Sequence, residues 1–144
     1  NLRKPLWKDM DTCKEQMLWG IRQADVMKIS DEEVEFLFGL GVEDGAAYIR
    51  KEFGVKLVFV TCGADGCFFK NAQAEGHVPS LQGIKVVDTT GAGDAFLSGT
   101  VMGLTKGYSL EKAVKAGTYL ASATIEVDES SCPKNPKFFD QFED

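Results

Sequence analysis

Histidine is nearly missing from this sequence: His77 stands alone among 144 residues. Four cysteines, Cys13, Cys62, Cys67 and Cys132, include no C-x-x-C pair. Together these shortages leave no zinc-finger pattern. Cys62 and Cys67 lie within or beside apolar strand-like runs, which reads as buried free thiols in a reducing cytosol. No basic run is present, and 16 Lys+Arg against 22 Asp+Glu leave a net charge of −6. Such a chain has no general attraction for nucleic acid or an anionic membrane. No stretch of 18 apolar residues exists, so no membrane span is expected. No signal peptide is expected from the opening NLRKPLWKDMD, which is polar and carries Pro5. It also lacks an initiating methionine, and Asn1-Leu2-Arg3 reads as the start of a piece of a larger protein.

What is present alternates. Cys13 to Ala24 places Met17, Leu18, Ile21 and Ala24 at helical spacing. Asp25 to Ile29 is short and alternating enough for a strand. Ser30-Asp31-Glu32-Glu33 opens a second helix through Leu37, stopped near Gly39 and Gly41. Asp44 to Phe53 reads as a third helix. Leu57 to Thr61 is a wholly apolar strand of the type buried on both faces in a parallel sheet. Gly63-Ala64-Asp65-Gly66 is a turn, with Cys67 to Lys70 as the return strand of a hairpin. Glu75–Pro79 and Ile84–Val87 read as further strands. Helices follow from Gly93 to about Thr105 and, capped by Ser109, from Leu110 to about Thr124. The polar tail ends in Phe138, Phe139 and Phe142, which are expected to pin a last short helix to the body. With no internal repeat, low-complexity block or linker, residues 1–144 read as a single α/β domain of layered architecture.

The informative stretch is Asp88 to Phe96, DTTGAGDAF. Glycines at 91 and 93 let backbone N–H groups approach an oxyanion closely and permit positive φ. The first amides of the following helix have no intrahelical partner, and the helix dipole adds positive potential. A phosphate fits there. Asp94 would repel that phosphate unless it handles a proton, as a general base does when a hydroxyl attacks a phosphoryl group. The plain alternative is a tight turn in which Asp94 only complements the helix N-terminus. The loop is not a Walker A, because no Gly-Lys-Ser/Thr follows.

DTTGAGD resembles the signature of the ribokinase-like (PfkB) carbohydrate kinase family. That resemblance implies a three-layer αβα, Rossmann-like fold with a mostly parallel sheet, of which this chain is the C-terminal, nucleotide-binding portion. It implies Asp94 as catalytic base and Gly91, Ala92 and Gly93 as the anion hole for the γ-phosphate. Asp88 and Thr90 resemble residues that hold a monovalent cation such as potassium. Val60-Thr61-Cys62-Gly63-Ala64-Asp65-Gly66 resembles the family's V-T-x-G-x-x-G turn, placing Thr61, Gly63 and Gly66 at the nucleotide. The segment Lys28 to Leu37 resembles the one carrying N-x-x-E, with Ser30 in place of Asn and Glu33 as the acid that organises magnesium through water. Ser30-x-x-Glu33 is equally a capping box, with Ile29 and Val34 placed as a hydrophobic staple. Asn1 to Trp7 is similar to a segment of fructokinase-like members.

The resemblance thus implies ATP-dependent phosphorylation of a sugar hydroxyl, fructose or a related sugar, with ATP and magnesium as cofactors. The chain alone is expected to bind nucleotide without turnover, because most sugar contacts lie in the half that precedes Asn1. Its partners are then ATP and a small sugar, its compartment the cytoplasm, and a homodimer through an unpaired sheet edge is compatible with the pattern. Two alternatives stay open: a nucleotide-binding module without catalysis, and a kinase of another alcohol such as a nucleoside. His77 reads as a strand or surface residue, and Trp7 and Trp19 as core or interface rather than ligand platforms.

Overall fold

A computed structural model of the chain describes residues 2–127. Cys132 and the aromatic tail at Phe138, Phe139 and Phe142 lie outside the described residues. The elements run α1 (Met10–Gln23), β1 (Val26–Ser30), α2 (Asp31–Phe38), α3 (Val42–Phe53), β2 (Leu57–Thr61), β3 (Cys67–Lys70), β4 (Glu75–Val78), α4 (Ala92–Thr105) and α5 (Leu110–Ile125). Single 3-10 turns occupy Lys4–Leu6 and Gly63–Asp65. The chain divides into two compact units: Asn1–Cys62 with Phe68–Gly76, and Gly63–Cys67 with His77 onward.

The four strands form one sheet in the order β1-β2-β3-β4. β1 and β2 are parallel, with Val26 opposite Leu57 and Ser30 opposite Thr61. The connection between them holds α2 and α3, the crossover that a parallel pair requires. Five residues join β2 to β3 and four join β3 to β4, too few for a crossover, so these pairs are antiparallel and the sheet is mixed. Val58, Phe59 and Val60 are fully buried, as a continuous apolar strand covered on both faces should be. Ile21, Ile29, Val34, Ala46, Ile49, Val55, Val58, Val60 and Phe68 form one core. Asp9 caps α1 by accepting the Thr12 amide, and Gly39 and Gly54 end α2 and α3 in the left-handed conformation. β4 ends at Val78, one residue earlier than expected, where Pro79 removes a ladder donor. Trp19 is 62% exposed and Trp7 half-buried, so Trp19 is not a core residue.

In the second unit α4 and α5 pack along a seam of small residues. A Cβ added at Gly99 would lie 2.8 Å from the Gly117 Cα, and one at Gly103 would lie 2.9 Å from the Ala113 Cα. Glycine and alanine at these four positions let the two backbones approach more closely than larger side chains allow. Ser109 caps α5 by accepting the Lys112 amide. The expected strand at Ile84–Val87 does not form. The Val87 and Asp88 amides donate instead to the Ile125 carbonyl, at 2.8 and 3.2 Å, and the Val86 and Val87 side chains are 59% and 46% exposed. A short apolar run becomes a strand only beside a partner strand, and here its donors are spent on the end of α5.

Candidate active site

The stretch that carries the chemistry lies wholly in the second unit. It begins with Asp88, whose Oδ1 accepts the Thr90 amide at 2.9 Å. That backbone bond, reinforced by the Thr90 hydroxyl, holds the Asp88 carboxyl below the usual carboxylate range. Next, the Ala92 amide donates to the Thr89 carbonyl at 3.2 Å. This closes a four-residue turn in which Gly91 takes φ 81° and ψ −5°. Those are the dihedrals of the third residue of a type II turn, where a side chain would be strained. Gly91 is therefore required by the backbone, whereas Gly93 sits inside α4 without positive φ.

Because α4 starts at Ala92, its first amides point out of the helix without intrahelical acceptors. Ala92 has found Thr89. The amides of Gly91, Gly93 and Asp94 have no acceptor among the described residues. Asp94 is exposed, and its carboxylate has no hydrogen-bond or ion-pair partner among the described residues; only its main-chain carbonyl is engaged, by the Ser98 hydroxyl at 2.8 Å. An unpaired acid on a helix N-terminus beside uncommitted amides combines a proton acceptor with an anion grip. The loop is anchored from behind by Ala95 and Phe96, both buried, and by the α4–α5 seam.

Gly63 and Gly66 belong to the same unit as this loop. Gly63 has φ 53° with open space around it, and Gly66 has φ 99°. A Cβ on Gly66 would lie 2.1 Å from the Val78 carbonyl oxygen. Gly66 is thus demanded by packing on the Val78–Ser80 backbone, independently of any ligand. Thr61 ends β2 in the first unit, and its hydroxyl donates to the Ile29 carbonyl at 3.4 Å.

Glu33 occupies the head of α2. Its Oε2 accepts the Ser30 amide at 2.9 Å while the Ser30 hydroxyl accepts the Glu33 amide at 3.1 Å, a complete capping box. Ile29 and Val34, the staple positions, are both in the core. The second carboxylate oxygen, Oε1, accepts the Leu2 amide at 2.6 Å. Burial pushes the Glu33 carboxyl up, but the amides of Ser30 and Leu2 and the charge of Lys28 outweigh it and hold the group below its ordinary 4.5. A native carboxyl with the lower value adds stability that is complete above about pH 4.5 and is lost as pH falls through the native value. Acid unfolding of wild type and Glu33→Gln, followed by circular dichroism, should therefore show a stability gap at pH 6 that narrows as the pH falls below 4.5.

The signal for the α4–α5 seam is partly in the sequence. Gly99-x-x-x-Gly103 and Ala113-x-x-x-Gly117 share a spacing of four, the mark of one helix face. Nothing in the sequence pairs Leu2 with Glu33. Among the described residues no group of three His, Cys, Asp or Glu is arranged to hold a metal ion, and no helix is long and apolar enough to cross a membrane.

The family described as pfkB family carbohydrate kinase matches residues 1–137. The chain belongs to that family. A probable fructokinase-6, chloroplastic, from Arabidopsis thaliana is 41% identical over 112 residues, 76% of this chain and 29% of its own length. The crystal structure of Vibrio cholerae fructokinase bound to fructose, ADP and calcium superposes with a TM-score of 0.77 and 29% identity, over 90% of this chain and 44% of that one. Aminoimidazole riboside kinase from Salmonella enterica, in complex with aminoimidazole riboside and an ATP analog, gives a TM-score of 0.82 at 27% identity, over all of this chain and 50% of that one. This pfkB chain has the α/β ribokinase-type fold of those kinases, and it spans about a third of the length of the curated relatives it matches.

Proposed function

We propose that the protein to which this chain belongs transfers the γ-phosphoryl group of ATP to a hydroxyl of fructose or a related sugar, and that this chain supplies the phosphate grip and the base. The observation that carries the reading is Asp94: an exposed, unpartnered carboxylate on the same helix N-terminus as three uncommitted amides. In the proposed step Asp94 takes the proton of the sugar hydroxyl as its oxygen attacks the γ-phosphorus. The bond to the ADP oxygen breaks, and the amides of Gly91, Gly93 and Asp94 stabilise the charge on the group in flight. Ala92 contributes backbone shape, its own amide being held by Thr89. Thr61, Gly63 and Gly66 are assigned to the turn beside the nucleotide. Asp88, already bonded to Thr90, supplies the negative charge that a monovalent cation at the loop would need. ATP supplies the transferable phosphoryl group, and the names of the fructokinase relatives support the sugar. Cytoplasmic placement is part of the same proposal, and the buried thiol of Cys13 fits a reducing compartment.

One observation favours a second acceptor class. The riboside kinase matches the full chain, so a riboside hydroxyl is the alternative substrate. The test is ADP release by the parent protein against a panel of hexoses, pentoses and ribosides. Turnover confined to ketohexoses fits the primary reading, turnover confined to ribosides fits the second, and none with any alcohol overturns both. The chain by itself should take up ATP in calorimetry and release no ADP.

A further inference from the structure

We infer that Glu33 is a clamp joining the head of α2 to the opening segment of the chain, and that it does not organise magnesium. Each of its carboxylate oxygens is taken by a backbone amide: Oε2 by Ser30 at 2.9 Å and Oε1 by Leu2 at 2.6 Å. The residue is only 8% exposed. An acid that orders the water shell of a hard cation must turn at least one oxygen to solvent, and here burial leaves little room for water beside the amide that each oxygen already accepts. The second bond reaches across 31 residues of sequence, so it is no part of the cap that α2 needs. A capping box is complete with Ser30 and Oε2 alone.

The clamp fixes a specific piece of chain. After Leu2 the backbone enters a 3-10 turn closed by the Leu6 amide on the Arg3 carbonyl, at 2.9 Å, and the Trp7 amide on the Lys4 carbonyl, at 3.2 Å. Lys4 is thereby set with its Nζ 5.8 Å from the Phe36 ring centroid on α2. None of Arg3, Lys4 or Leu6 is buried, so apolar packing does not hold this turn in place. A charge-assisted bond to a buried carboxylate does. Removing Glu33 should free residues 2–6 while leaving the core of the first unit intact.

The inference stands whether or not the parent protein transfers phosphate, because its test needs neither nucleotide nor turnover. Backbone amide exchange is measured by NMR on this chain as wild type, Glu33→Gln and Glu33→Asp, with α5 amides reporting global stability. Glu33→Gln keeps the length but opposes an NH2 group to one of the two amides; Glu33→Asp keeps the charge but is one methylene too short to reach both. In each variant, exchange at Leu2 should speed up by about tenfold or more, the loss of one charge-assisted bond, and by more than any change at α5. Manganese(II) chloride is then titrated into wild type and Glu33→Gln, and line broadening is followed from Ser30 to Val34. Broadening that is absent, or equal in both proteins, supports the clamp. Broadening in wild type that disappears in Glu33→Gln, or Leu2 exchange unaltered in both variants, overturns it.

Discussion

Asp94→Asn in the parent protein is expected to lower kcat by about 10²–10⁴-fold, the range that a positioned base contributes, while nucleotide binding holds or tightens. The two effects have one origin. Asp94 is exposed and unpartnered on the N-terminus of α4, where it places a negative charge beside amides otherwise suited to phosphate. Asparagine is nearly isosteric and leaves the helix start intact, but it cannot take a proton from the attacking hydroxyl. It also removes a repulsion felt by the terminal phosphate. If Asp94 served only the helix dipole, the substitution would cost about 0.3–1 kcal/mol of stability and leave kcat within a fewfold of wild type. Steady-state kinetics on the parent protein and ATP calorimetry on this chain separate the two. A kcat preserved within threefold removes Asp94 from the reaction, and nucleotide affinity that falls in step with kcat makes it a binding group instead.

Legibility followed from locality. Leu57–Thr61 and Cys67–Lys70 were readable to the residue because an apolar run bounded by glycine turns has few other uses. The helix starts at Ser30 and Ser109 were readable because a cap is decided within four residues. The same holds for Asp88–Asp94, whose turn, free amides and exposed acid all lie within seven residues. Ile84–Val87 misled because strand identity depends on a neighbour, and the amides of Val87 and Asp88 found the end of α5 instead. For Trp19 the choice between core and interface was not local either: large aromatic residues are usually well covered, and its exposure leaves only the interface half of that reading. The Leu2–Glu33 bond was invisible, since its two ends carry no pairing mark and lie 31 residues apart. For Gly66 the sequence suggested a ligand contact, yet the Val78 carbonyl alone already forbids a side chain. Its glycine is therefore no evidence for a nucleotide.

Gly117→Ala should destabilise the chain by about 2–3 kcal/mol, near the upper end for overpacking, although alanine is the better helix former by about 1 kcal/mol. The added Cβ would lie 2.1 Å from the Thr100 Oγ1 and 2.6 Å from the Phe96 carbonyl oxygen. Thr100 is fully buried, and Phe96 is met at its backbone, so neither yields without moving α4 away from α5. Gly20→Ala in α1 is the matched control: a Cβ there meets nothing within 4 Å, and the substitution should stabilise by about 0.5–1 kcal/mol. One chemical change thus takes opposite signs in two helices, decided by what faces the new methyl. Removing one obstacle should recover part of the loss, so Thr100→Ala combined with Gly117→Ala should be less destabilised than the sum of the two single variants. Thr100 Oγ1 has no hydrogen-bond partner among the described residues, which keeps the cost of its removal to packing alone. Displacement of α4 also carries the Gly91–Asp94 amides with it, so Gly117→Ala should weaken ATP uptake at temperatures where the chain is still folded. Urea unfolding of the five proteins decides the matter: equal stability of Gly117→Ala and wild type would mean that the seam between α4 and α5 is looser than 2.1 Å to Thr100 allows.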